Sequence, residues 1–169
     1  DFDEGQLIDD EAKLGTPISD RRTTDILKTI RPQCLDQAPC NTLSSRYGLG
    51  AFPLHTDAAY MSTPPRYLLL YCVCPGNGGR STSLLDFSHF DCEPLKTSRP
   101  ATWIINSGWR RRLCKAFWKN VEGERFVRYD PECMRPGGAS ARVEHQLIQD
   151  FLSASLPITI EWTARSLLI

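Results

Sequence analysis

Apolar and polar positions change over in short runs along this chain, and proline and glycine cut the runs at intervals that suit many short strands joined by turns. The clearest run covers residues 66–74, Arg-Tyr-Leu-Leu-Leu-Tyr-Cys-Val-Cys, bounded by Pro64-Pro65 before it and by Pro75-Gly76-Asn77-Gly78-Gly79 after it. A run that is apolar at nearly every position predicts a strand covered on both faces, central in its sheet. Further strands are predicted over residues 81–86, 102–107 and 125–129, the last by its alternation of charged and apolar side chains. Residues 158–169 return to strand character. Residues 24–30 suit a strand or a helical turn.

Two segments carry helical spacing instead. Gln6, Leu7, Ile8, Ala12 and Leu14 mark a short amphipathic helix over residues 5–14, closed by Gly15 and Pro17. Val143, Leu147, Ile148, Phe151 and Leu152 form one stripe over residues 141–153, with Ser140 as N-cap and Pro157 beyond the end. The expected class is therefore mainly β with flanking helices.

Length and charge narrow the picture. A chain of 169 residues suits one domain spanning 1–169. Lys plus Arg number 20 and Asp plus Glu number 20, so no net field draws the protein to nucleic acid or to an anionic membrane, and a small-molecule partner is expected. No apolar run is long enough to span a bilayer, and the start, Asp1-Phe2-Asp3-Glu4, is acidic where a signal peptide is basic and then apolar. A cytoplasmic protein is expected. The 7 cysteines include no Cys-x-x-Cys pair and no zinc-finger spacing, which argues for packing rather than for a zinc site or a disulfide framework. Cys72 and Cys74 would share a face of their strand.

The segment Gly50-Ala51-Phe52-Pro53-Leu54-His55-Thr56-Asp57 places an imidazole and a carboxylate at i and i+2. In extended backbone both project to one side, where they can share a metal ion. Two His and one carboxylate on one face, with open positions opposite, is the donor set of non-haem Fe(II) oxygenases. His55 and Asp57 supply two of the three. Taken alone the pair also fits a surface turn with a satisfied histidine.

The longer run decides between them: His55-Thr56-Asp57-Ala58-Ala59-Tyr60, then Pro64-Pro65-Arg66-Tyr67, the apolar run, Pro75, Gly78-Gly79, Ser81-Thr82 and Leu84-Leu85-Asp86. In order, spacing and residue type this resembles the taurine dioxygenase/clavaminate synthase-like family of Fe(II)- and 2-oxoglutarate-dependent oxygenases. The resemblance implies a double-stranded β-helix, a jelly-roll or cupin-like barrel, with Fe(II) near one mouth and 2-oxoglutarate as cosubstrate. It implies that His55 and Asp57 are metal ligands and catalytic, and that Thr82, or its neighbour Ser81, hydrogen-bonds a carboxylate of 2-oxoglutarate. The implied reaction is hydroxylation of a small amino-acid-like or carboxylate substrate with release of succinate and CO2. A carboxylate at Asp57, where halogenating relatives carry a small residue, disfavours halogenation. Gly78 and Gly79 need no role beyond a turn.

Family members carry a second metal-binding His and a 2-oxoglutarate-binding Arg after a segment that residues 162–169 match, Trp-Thr-Ala-Arg-Ser-Leu-Leu-Ile. Neither residue follows here, so the domain reads as incomplete at its C-terminus. His89 in a loop, His145 on the second helix and Arg165 before the family position are expected to stay outside the metal site. Arg46, Tyr47, Phe52 and Tyr60 flank the motif as pocket-lining candidates or ordinary packing residues. Arg110-Arg111-Arg112, with Trp109, Lys115, Trp118 and Lys119, is the densest basic and aromatic cluster and is read as a solvated face rather than a nucleic-acid surface. Two functions stand: the oxygenase, and a non-catalytic or remnant jelly-roll binding domain without the complete iron site. A sugar-binding or other metal-free jelly roll would leave the pairing of His55 with Asp57 without a reason.

Overall fold

The computed structural model describes residues 13–19, 25–77, 79–91, 100–107 and 110–169. The predicted helix over residues 5–14 falls almost wholly outside them, with Lys13, Leu14 and Gly15 in a turn, as do Gly78, Cys92 and Trp109. Residues 25–30 form neither strand nor helix. The rest is β-rich: nine short strands among the described residues, each paired antiparallel in small sheets, with two α-helical segments. No helix among the described residues is long and apolar enough to cross a membrane. The chain forms two compact units, one of Asp1–Phe52, Leu69–Cys74 and Thr163–Ile169, the other of Pro53–Leu68 and Pro75–Trp162.

The first unit holds a helical turn, α1 (Ser44–Tyr47), and a two-stranded pair, β1 (Leu70–Tyr71) with β9 (Leu167–Leu168). The apolar run of residues 66–74 is thus not a central strand. Only its middle joins a ladder, extended by Cys72 N–H to the Ser166 carbonyl (2.9 Å) and Arg165 N–H to the Cys72 carbonyl (2.8 Å). Flanking prolines, which lack an N–H, shorten the usable edge, and Tyr67, Leu68 and Val73 are exposed. Cys72 is half-buried and Cys74 is exposed, so the two do not pack as one buried face. All six described cysteines are free.

The second unit is built on β3 (Trp103–Ser107), flanked by β4 (Arg110–Cys114) and β7 (Met134–Pro136). Trp103 lies opposite Cys114 and Pro136, and Ile105 opposite Arg112 and Met134, so alternate β3 residues form the buried face. The strand predicted over residues 102–107 is observed. The basic cluster turns out to form β4, whose Arg111 is exposed and Arg112 half-buried by the same alternation. Around this sheet stand the hairpin β5 (Phe117–Lys119) and β6 (Arg125–Val127), and the pair β2 (Ser81–Leu84) with β8 (Ile158–Glu161).

Helix α2 (Ala139–Ala154) covers the buried face. Its N-cap is Gly138, not Ser140, and the helix starts two residues earlier than the apolar spacing predicts. At the β7–α2 junction a Cβ on Gly137 would stand 2.6 Å from the Thr102 carbonyl oxygen, which explains the glycine there. Ala141 and Ile148 are buried as helix spacing demands, but Val143 is 55% exposed and Glu144 is 6% exposed. The stripe is rotated because Trp103 Nε1 donates to Glu144 Oε1 at 2.6 Å, giving the buried carboxylate its partner. Beside it Phe87, Phe90, Phe117 and Phe151 pack together, with Phe90 and Phe117 stacked at 5.0 Å. Phe87 and Phe90 arrive through a 3₁₀ turn (Phe87–His89) whose N-cap is Asp86, its Oδ1 accepting from Ser88 N–H at 2.8 Å.

Burial pushes the Glu144 carboxyl above the usual glutamate range, and the Trp103 indole opposes that only in part. A carboxyl whose folded pKa is raised stabilises the fold most at low pH, and the contribution is lost as pH rises from the ordinary glutamate range through the raised folded value. Glu144→Gln keeps an oxygen for the indole without a charge. Denaturant titrations of the two proteins should therefore converge at acidic pH and separate above it, the variant being more stable by on the order of 1 kcal/mol at neutral pH. Parallel pH profiles would mean that Glu144 is solvated rather than buried.

Candidate functional site

The segment carrying His55 and Asp57 belongs to the second unit and has no ladder of its own. Pro53 forbids an N–H bond at one end, and the chain reverses at the other, where Ala58 takes a left-handed φ of 52° and Met61 N–H reaches the Ala58 carbonyl at 2.9 Å. Between these points Thr56 pairs with Tyr129. Its N–H donates to the Tyr129 carbonyl at 2.7 Å, and its hydroxyl oxygen accepts the Tyr129 N–H at 3.1 Å.

His55 is half-buried, and its Nδ1 lies 2.7 Å from the Pro53 carbonyl oxygen. A carbonyl only accepts, so Nδ1 is the donor in this contact, and in the neutral ring Nε2 is the nitrogen with a lone pair. This is the tautomer of a metal-ligating histidine whose other nitrogen is fixed by a backbone acceptor. Asp57 is exposed at the head of the reversing turn. Imidazole Nε2 and an exposed carboxylate are donor types that suit Fe(II), and would supply two of the three ligands of such a set. Among the described residues no group of three or more His, Cys, Asp and Glu side chains is placed to hold a metal ion.

Thr82 and Ser81 lie on β2, opposite Ile160 and Glu161 of β8. Strand alternation separates them: Ser81 is exposed, whereas Thr82 is half-buried with its Oγ1 accepting from Trp162 Nε1 at 2.9 Å. The oxygen is thereby occupied on one side and the hydroxyl proton is left to be donated. Tyr60 is exposed in the turn after Asp57. Arg46, Tyr47 and Phe52 fall in the first unit, where Tyr47 and Phe52 rings stand 6.0 Å apart and Arg46 is exposed on α1.

The other histidines are engaged elsewhere. His89 is exposed, with Nε2 at 3.6 Å from Asp86. His145 packs edge-on against Trp103 at 5.6 Å, and its Nδ1 lies 3.4 Å from the Tyr129 hydroxyl, which also accepts from Gln149. Arg165 sits in a turn with φ 69° rather than on a strand. Trp118 stacks on Phe126 at 5.4 Å and lies under the Arg128 guanidinium at 5.1 Å, an intramolecular role.

Sequence reasoning missed the polar groups that brace this region. Arg128 is 5% exposed, and its Nη2 donates to the Ser62 carbonyl at 2.9 Å. Glu144 and Tyr129 are buried too, and burial raises the Tyr129 hydroxyl above the ordinary tyrosine range. Burial likewise pushes the Cys133 thiol up to about 12, making it inert. The available signal was weak: an Arg-Tyr-Asp at the end of an alternating strand, and one acidic residue beside an apolar helical stripe.

No family model matches the chain, and no curated protein or solved structure compared with it matches either.

Proposed function

We propose that this chain is an Fe(II)- and 2-oxoglutarate-dependent oxygenase of the taurine dioxygenase-like kind, a double-stranded β-helix acting in the cytoplasm on a small amino-acid-like or carboxylate substrate. The observation that carries this reading is the state of the His-x-Asp pair. His55 Nδ1 lies 2.7 Å from the Pro53 carbonyl, which leaves Nε2 as the ring nitrogen that could take a metal, two residues from Asp57. A metal-free jelly roll gives that arrangement no task.

Bound iron with 2-oxoglutarate supplies the oxidative activation of dioxygen. The chain's own residues hold and orient. His55 Nε2 and Asp57 take two metal positions, and the ring is kept from turning by its backbone bond. Thr82, whose oxygen already accepts from Trp162, is the better donor to a cosubstrate carboxylate than exposed Ser81. The third ligand is a donor other than His89, which is exposed beside Asp86, or His145, which packs against Trp103 and Tyr129.

Anaerobic absorption spectroscopy with Fe(II) and 2-oxoglutarate tests this. The expected result is a weak visible charge-transfer band from the chelate, lost in Asp57→Ala. The competing reading, a non-catalytic jelly-roll binding domain, is favoured by the two-donor set among the described residues. It predicts no band in either protein.

A further inference from the structure

The segment from Pro53 to Arg66 is tied to the end of the β5–β6 hairpin at three points in reversed order. Thr56 pairs with Tyr129, the Ser62 carbonyl with Arg128, and Arg66 with Glu124, whose Oε1 is 2.8 Å from Arg66 Nη2. These ties differ in strength. The Arg66–Glu124 pair is exposed and solvent-screened. The Thr56 tie fixes only the limb before the reversing turn. Of the two ties on the limb after it, the one from Arg128 comes from a buried side chain, 5% exposed, at a part-buried bond.

A buried guanidinium is a costly way to fill space, because a charge taken from water must be repaid by hydrogen bonds or partners. Arg128 is repaid thinly. It has the Ser62 carbonyl, the Trp118 ring and the neighbouring Cys114 thiol, while its Nε has no hydrogen-bond partner among the described residues. An aliphatic side chain would pack there at lower cost. What it could not do is hold a carbonyl at a fixed place beyond the turn that Asp57 heads. With Thr56 fixed on one side and Ser62 on the other, the turn at Asp57 and Ala58 has little freedom left.

We propose that Arg128 is a positioning residue for the His55–Asp57 pair, setting the Asp57 carboxylate relative to the His55 ring through the Ser62 carbonyl. Its task as metal-site geometry rests on the oxygenase reading above. Its action on the loop does not.

Hydrogen exchange on the metal-free chain separates the two. In Arg128→Met, exchange at the Thr56 and Met61 amides should accelerate by roughly tenfold or more, while the Ile105 and Ile148 amides keep their wild-type rates. Arg128→Lys, which can still donate to the Ser62 carbonyl, should recover part of the protection. In the loaded protein, Arg128→Met should weaken Fe(II) binding by roughly tenfold, as loss of a group behind the ligands does. Unchanged exchange at Thr56 and Met61 overturns the proposal, as does acceleration shared equally by Ile105 and Ile148, which would make Arg128 a general packing residue. Wild-type affinity for Fe(II) in Arg128→Met overturns its bearing on the metal. A wild-type chain that forms no chelate band sinks the oxygenase reading alone, and the exchange pattern then still decides what Arg128 does to the loop.

Discussion

Trp103→Ala should strongly destabilise the second unit. The side chain is 0% exposed on the central strand, crosses Tyr129 and His145 edge-on at 6.0 and 5.6 Å, and donates its indole proton to Glu144. Truncating a buried tryptophan costs about 3–5 kcal/mol through lost burial and the cavity left behind. The Glu144 carboxyl would also lose its donor, at a further cost of roughly 1–3 kcal/mol. Against a total stability of about 5–15 kcal/mol this is a large share. The expected readout is a fall in melting temperature of roughly 10 °C or more. Trp103→Phe keeps a ring but no donor, so its loss combines that of the Glu144 bond with a smaller cavity and should fall below that of Trp103→Ala. A melting temperature within a degree or two of wild type for Trp103→Ala would show that the helix does not cover this strand as described.

On the proposed oxygenase reading, His55→Ala should do the opposite: leave the fold and weaken Fe(II) binding. Its ring is only half-buried, and among the described residues its hydrogen bond is to Pro53, two residues away, so little tertiary structure depends on it. Loss of a group that merely orients a metal-binding histidine costs 10- to 100-fold in affinity, so loss of the ligand itself should cost more than about 100-fold. Equilibrium binding of Fe(II) measures the first effect, and thermal unfolding should show a change of less than roughly 1 kcal/mol. Wild-type affinity in this variant would remove His55 from any metal site, and a large drop in melting temperature would make it a structural residue instead.

These two variants mark the difference between what can be read from the chain and what cannot. The strand over residues 102–107, and that over 81–86 as far as Leu84, were legible because alternation and bounding turn residues act locally. The second helix was legible for the same reason, to within two residues at its start. The short strands β4, β5 and β7 were not. Three arginines in a row carry no strand signal, and Arg110–Cys114 becomes a strand because β3 offers it an edge. The apolar run at residues 66–74 misled in the other direction: apolar character predicts burial, but a central strand needs neighbours on both edges, and the ladder here has one partner.

The candidate site divides in the same way. Sequence alone determined the donor types and their spacing, His55 and Asp57 at i and i+2, with Thr82 downstream, because these are covalent facts of the chain. It also determined the β-rich class, since strand and turn preferences are local. Tertiary structure alone decided the rest. It chose Glu144 over Val143 for the buried side of the helix, because only there does an indole meet the carboxylate. It brought Tyr129 across to hold Thr56, and Arg128 across to hold Ser62, over separations of 73 and 66 residues. Such pairings depend on which surfaces meet once the sheets have packed, and no local preference of the chain encodes them.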